Sequence, residues 1–172
     1  MSFVLDASAM MALLLEREGV ELVRSVLIED EAPVYAHSLN VVEVFYNIHQ
    51  RGALAAWLSR NPAARVAGDE GKADLTGVNT LDASVFDPNA GNREAQAALR
   101  TLDGIGVRTI DAMDAALWQD AARLKSQFRR VSLADCFGVA LARRLDAEFV
   151  TSDRHELEAL DAAGIATFTF IR

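Results

Sequence analysis

Hydrophobic positions along this chain follow two periods, one of two residues or less and one near 3.6. Phe3-Val4-Leu5 is a short apolar run closed by Asp6, the pattern of a buried strand. Ser8 is expected to cap a helical stretch through Leu15. Gly19 to Glu29 continues helical, with Val20, Val23 and Leu27 on one face. Pro33 to Ala36 reads as a second strand. Ser38 opens a strongly apolar helix to about Arg51, with Gly52 as its stop and Ala53 to Ser59 adding a further turn or two. Farther on, a helix is expected from about Arg93 to Leu102, broken by Gly104 and Gly106. A strand at Val107 to Ile110 and a helix from Ala112 to Phe128 follow. Ser132 caps the next helix, which runs to Leu145. Glu148 to Thr151 is a strand, Arg154 to Ala163 a helix ended by Gly164, and Ile165 to Phe170 the last strand. Strands alternating with helices predict an α/β fold in three layers, with helices on both faces of a mostly parallel sheet of about five strands.

One window breaks the pattern. Asn61 to Asn92 holds Gly68, Gly71, Gly77 and Gly91, together with Pro62 and Pro88, and carries a net charge of −3. It reads as a long loop or an insertion of about residues 61–92 within a single domain spanning 1–172.

Composition narrows the class. At 172 residues and 51% hydrophobic, the chain supports a packed core and excludes wholesale disorder. A single cysteine, Cys136, excludes an internal disulfide and a Cys-based zinc cage. His37, His49 and His155 are too scattered for a histidine metal motif. The apolar run Ala9 to Leu15 is too short to span a bilayer and lacks a basic flank, so neither a secretory leader nor a membrane span is expected, and a cytoplasmic protein is. The net charge of −8 is unlike that of most nucleic-acid binders, yet Asp120 to Arg154 has a net of +2.

Four carboxylates occupy unusual places. Asp6 closes the first strand, and Glu43 sits inside the apolar helix Leu39–Tyr46. Asp135 lies in the first turn of the helix after Ser132, and Asp153 follows the strand ending at Thr151. Capping alone accounts for Asp6, Asp135 and Asp153 taken singly, since Ser132–Asp135 and Asp153–Glu156 both have capping-box spacing. Glu43 lies beyond its first turn, where the plain alternative is a solvated helix edge. Taken together, the four suggest more. Parallel α/β sheets bind ligands outside the carboxyl ends of their strands, where Asp6, Asp153 and the start of the Asp135 helix fall. Carboxylates gathered there repel unless a cation neutralises them, and Mg²⁺ or Mn²⁺ is the ion that prefers such oxygens.

Asp6 in VLDASA, Glu43 in SLNVVEVFYNI, Asp135 in VSLADCFGVALA and Asp153 in FVTSD resemble the four acidic signatures of PIN-domain ribonucleases, and the Ser-Leu-Ala-Asp motif is most similar to VapC-type toxins. The likeness covers Val4 to about Arg51 and about Arg93 to the C-terminus; residues 61–92 have no counterpart in a typical small toxin of this kind. The resemblance implies a PIN-like α/β/α fold and a Mg²⁺-dependent endoribonuclease, with Mn²⁺ able to substitute. It implies Asp6, Glu43, Asp135 and Asp153 as metal-holding catalytic acids and Ser8 as a supporting hydroxyl. Hydrolysis assisted by carboxylate-held metal would leave a 5′-phosphate and a 3′-hydroxyl. It further implies a cognate antitoxin whose arginine occupies the acidic site, and a homodimer is expected. A haloacid-dehalogenase-like phosphatase would need an aspartate where Ser8 stands. A receiver domain would need a late lysine, and the only lysines are Lys72 and Lys125.

Other residues have more modest expectations. Arg51, Arg143, Arg144 and Arg154 are candidate RNA phosphate contacts, although Arg143 and Arg144 equally suit a helix C-terminus. Cys136 is expected as a small core residue. His37 is expected at a strand-end surface and His155 in a first helical turn. Trp57, Phe45 and Tyr46 fit packing better than base stacking. Met10, Met11, Leu14 and Leu15, with Phe45 and Tyr46, offer an apolar groove for an amphipathic partner helix.

Overall fold

The computed structural model describes residues 1–28, 32–60, 89 and 91–172. Two compact units divide the chain. One comprises Met1–Val44 with Leu99–Arg172, the other Phe45–Ala98. The element order is β1 (Phe3–Leu5), α1 (Ala7–Leu14), α2 (Val20–Ile28), β2 (Val34–His37), α3 (Ser38–Arg60), α4 (Asn92–Gly104), β3 (Val107–Ile110), α5 (Ala115–Gln127), α6 (Leu133–Leu145), β4 (Glu148–Thr151), α7 (Arg154–Ala162) and β5 (Thr167–Phe170). The five strands form one parallel sheet in the order β3-β2-β1-β4-β5, the middle layer of a three-layer α/β fold.

This order fixes where chemistry can happen. The chain steps outward from β1 to β2 to β3, then returns to the other side of β1 as β4. The reversal leaves a crevice at the carboxyl ends of β1 and β4, the topological switch point of an open parallel sheet. Asp6 stands at one wall of it and Ser152-Asp153 at the other.

The strands are apolar runs because both sheet faces are covered. Phe3, Val4, Leu5, Phe149 and Val150 are all buried. One side of the core joins Val4 and Phe149 to Leu117, Ala121 and Leu124 of α5, Val139 and Leu141 of α6, and Leu157 and Leu160 of α7. Helix α6 comes so close to β4 that a Cβ on Gly138 would lie 2.6 Å from the Phe149 ring, so glycine is required there.

The structure corrects several expected boundaries. Helix α1 is capped by Asp6, whose side chain accepts the Ala9 N–H, and Ser8 falls inside the first turn. Gly52 does not stop α3, which runs on to Arg60. Within the second unit, a Cβ at Gly52 would sit 2.5 Å from the Gly91 Cα, so this glycine serves close packing. Asp114 caps α5, which begins at Ala115, three residues after the expected start. Of the expected insertion, residues 61–88 and 90 lie outside the described residues, and Asn92 already belongs to α4.

Candidate active site

Asp6 is almost fully buried and satisfies hydrogen bonds from three directions. Its carboxylate accepts the Ala9 N–H at 2.6 Å, the Ser8 hydroxyl at 2.8 and 2.9 Å, and the Thr151 hydroxyl at 2.6 Å. Ser8 in turn accepts the Ser152 N–H at 2.8 Å, and Thr151 Oγ1 accepts the Asp153 N–H at 2.9 Å. Two hydroxyls thus tie the end of β1 to the end of β4 across the switch point. Ser8, expected to support the site, donates to Asp6 and accepts from the Ser152 amide. Thr151 plays the matching part from the other strand; read in sequence alone it was simply the last residue of a strand.

Asp135 is held by Ser132. The hydroxyl caps α6 by accepting the Asp135 N–H at 3.0 Å and donates to Asp135 Oδ2 at 2.7 Å. Asp153 stands at the N-cap of α7 yet makes no side-chain capping bond, so capping does not account for its carboxylate. Glu43 lies on α3 within the first unit.

Electrostatics shows which acids share a neighbourhood. Burial pushes Asp6 up to about 7, against the hydrogen bonds from Thr151, Ala9 and Ser8, and repulsion from Asp135 adds to the rise. Asp135 is raised to about 6, first by burial and then by Glu43, Asp153 and Glu156, with the Ser132 bond opposing. Glu43 is raised by burial, then by Asp153 and Glu156. Asp135 is therefore the hub of the four expected acids: it couples to Asp6, Glu43 and Asp153, and Glu43 couples to Asp153. Glu156 joins them, although the sequence pattern offered it only a capping role three residues after Asp153. Among the described residues, Asp6, Asp135 and Asp153 form no ion pair with a Lys, Arg or His. The donors are all hard oxygens, a chemistry that fits Mg²⁺ or Mn²⁺. Among the described residues no three His, Cys, Asp or Glu side chains stand as a ready-made metal cage.

The candidate cations differ in their settings. Arg143 and Arg144 lie in the last turn of α6, at the opposite end from Asp135. Arg143 binds both Asp120 oxygens at 2.7 and 2.8 Å, and Arg144 pairs with Asp114. Arg51 lies on α3 in the second unit and is exposed. Of the three candidates in the first unit, Arg154, the first residue of α7, stands at the same strand ends as the acids.

Three further expectations change. His37 is not on the surface: it is fully buried, accepts the Leu39 N–H at Nδ1, meets the Ala112 carbonyl at Nε2 and lies 5.0 Å from the Phe137 ring, the two rings tilted by 30°. Burial lowers its pKa, so it is a neutral structural imidazole. Met10 and Met11 are core residues and cannot line a docking groove. Phe45 stacks on His49 at 6.1 Å and Tyr46 is exposed, while the side chain of Trp57 lies outside the described residues. Cys136 is buried as expected, its thiol pushed up to about 11 by burial. No helix among the described residues is long and apolar enough to cross a membrane.

A family model described as the PIN domain matches residues 3–163. No curated protein matches the chain. Among solved structures, VapBC2 from Rickettsia felis, bound to a promoter DNA fragment, superposes with a TM-score of 0.61 at 10% identity, covering 99% of this chain and 98% of that one. A toxin–antitoxin complex from Klebsiella pneumoniae gives 0.56 at 12% identity, covering 99% and 98%. VapC20 from Mycobacterium tuberculosis, described as a toxin cleaving the sarcin–ricin loop, gives 0.56 at 17%, covering 95% of each chain. At these identities the likeness is one of fold.

Proposed function

The chain belongs to the PIN-domain family, whose model spans residues 3–163, and on that premise we propose that it is a Mg²⁺- or Mn²⁺-dependent endoribonuclease acting as the toxin of a toxin–antitoxin pair. The observation that carries the nuclease reading is the cluster of coupled acids at the strand ends, in which Asp6, Asp135 and Asp153 form no ion pair among the described residues. The toxin reading draws on the relatives: the fold neighbours include toxin–antitoxin complexes and a toxin described as cleaving the sarcin–ricin loop.

Asp6, Glu43, Asp135 and Asp153 would hold the cation. When bound, it would supply Lewis-acid stabilisation of charge at phosphorus and ease deprotonation of the attacking water. The chain's own residues do the positioning. Ser8, Thr151 and the Ala9 amide fix the Asp6 carboxylate, and Ser132 fixes one oxygen of Asp135 and leaves the other free of that bond. Asp153, not engaged in capping, is free to orient water or a second ion. With Asp6 at about 7 and Asp135 at about 6, protons compete with the cation below neutral pH, so activity should rise with pH across that range.

The partner follows from the same charge. A buried acidic site suits an arginine-bearing antitoxin segment, because a guanidinium fork pairs carboxylates bidentately and stays protonated. A homodimer and a cytoplasmic setting complete the proposal.

The test is Mn²⁺-dependent cleavage of a single-stranded RNA by the wild-type chain and by Asp6→Asn, alongside bacterial growth on expression. Cleavage and growth arrest by wild type alone support the toxin nuclease. Cleavage without growth arrest replaces the toxin by an RNA-processing nuclease. Neither cleavage nor Mn²⁺ uptake would leave a binding module on the same fold.

A further inference from the structure

Arg154 directly follows Asp153, and its guanidinium lies over the Phe170 ring, 4.3 Å from the centroid. Phe170 stacks on Phe168 at 5.7 Å with the rings nearly parallel, and Phe168 meets Phe149 of the core edge-on at 5.9 Å. Phe170 is also the register partner of Thr151, the residue whose hydroxyl grips Asp6. An aromatic ladder anchored in the core therefore presents a cation at the strand ends that carry the acids. Among the described residues Arg154 forms no ion pair, whereas Arg24, Arg143 and Arg144 are each engaged by a carboxylate.

A ring contact and a salt bridge leave an arginine in different states. A carboxylate consumes the N–H fork and cancels the charge. An aromatic face orients the guanidinium plane and leaves both its charge and its edge donors available. The side chain of Arg154 is exposed, so those donors face solvent. RNA approaching a chain of net charge −8 needs such a cation beside the acids, and a fork geometry suits a phosphate best.

The geometry points to Arg154 as a substrate-binding residue that grips an RNA backbone phosphate next to the scissile one, with Phe170 as the positioning residue that sets its plane. This inference rests on the nuclease reading. The contact reads backbone and carries no base preference, so its loss weakens binding alike for all sequences.

The experiment uses the full chain, Mn²⁺ and a 20-nucleotide single-stranded RNA. Arg154→Ala should raise KM about tenfold and leave kcat within about twofold, the mark of a contact made equally in ground and transition states. In an Asp6→Asn background, which blocks cleavage, the slope of log Kd against log salt should fall by about 0.7, one phosphate contact on a single strand. Arg154→Lys keeps charge without the fork and should fall between wild type and Arg154→Ala; Phe170→Leu should raise KM less than Arg154→Ala. Wild-type cleavage with KM and salt slope unchanged in Arg154→Ala overturns this inference alone, and a lowered melting temperature with those readouts unmoved identifies a purely structural clasp. A wild-type chain that neither binds nor cleaves the RNA overturns the nuclease reading and this inference with it.

Discussion

Helix α6 carries Asp135 in its first turn and Arg143 and Arg144 in its last, about 12 Å apart along the axis. The two ends treat charge in opposite ways. At the last turn, Arg144 pairs with Asp114 at the start of α5 and Arg143 with Asp120, and the Arg144 bond holds Asp114 below the usual carboxylate range. Apart from the half-buried Asp120 these groups are exposed, and the pairing of Arg144 with Asp114 suits both helix dipoles. At the first turn, Asp135 is buried beside Asp6, Glu43, Asp153 and Glu156, and its pKa moves up instead of down. The same fold that pairs charges in solvent leaves Asp6, Asp135 and Asp153 without an ion pair among the described residues, where burial makes their charge costly. Folding alone gains nothing from the second arrangement; a cation-dependent reaction does.

The largest expected difference between the ends is in activity. Asp135→Asn should lower Mn²⁺-dependent RNA cleavage by at least about a hundredfold, whereas Arg144→Ala should leave it within about twofold, measured as kcat/KM. Equal losses at both ends would remove the distinction between them.

Next comes the response to the ion. Mn²⁺ at about a hundred times its Kd should raise the melting temperature by roughly 5–10 °C, since about 2.7 kcal/mol of linkage is spread over a chain of this size. The shift should vanish for Asp6→Asn. A full shift in that variant would put the ion elsewhere.

A smaller effect appears without metal. Unfolded Asp6 ionises near 4 and folded Asp6 near 7, so the folded state holds the extra proton between those values. Stability from this group is therefore present at low pH and lost as pH rises through that window. In chelator, Asp6→Asn should melt about 5 °C above wild type at pH 8, with the gap closing toward pH 5. The Asn carbonyl can still accept the Ala9 N–H, and the Ser8 and Thr151 hydroxyls can turn to accept. His37, buried as a neutral base, destabilises both proteins alike at low pH and cancels in the difference. A variant melting below wild type at pH 8 would mean that Asp6 matters mainly as a helix cap.

Smallest of all, Arg143→Ala and Arg144→Ala should each move the melting temperature by no more than about 1 °C, because exposed ion pairs are screened.

Much of this was legible along the chain. The strand cores Phe3–Leu5, Val107–Ile110 and Glu148–Thr151, the Ser132 cap of α6 and the acids at strand ends follow from local periodicity and turn chemistry, which nearby residues alone dictate. Three-dimensional proximity was legible only through the pattern of a parallel sheet, which sends every strand's carboxyl end to one rim. What adjacency in sequence could not supply were the partners. Thr151 and Asp6 are 145 residues apart, and only the β1–β4 pairing brings hydroxyl to carboxylate. Gly52 looked like a helix stop until its approach to Gly91 was seen, because a glycine's missing Cβ serves a turn or a close contact equally well. His37 looked like a surface residue, since nothing local reveals that the Ala112 carbonyl lies opposite its Nε2. The spacing of Arg154, Asp153 and Glu156 was visible from the start. Which of them meets a ring or a neighbouring charge was decided by tertiary packing, because burial and the identity of the nearest group, not residue type, set the energy of a charge.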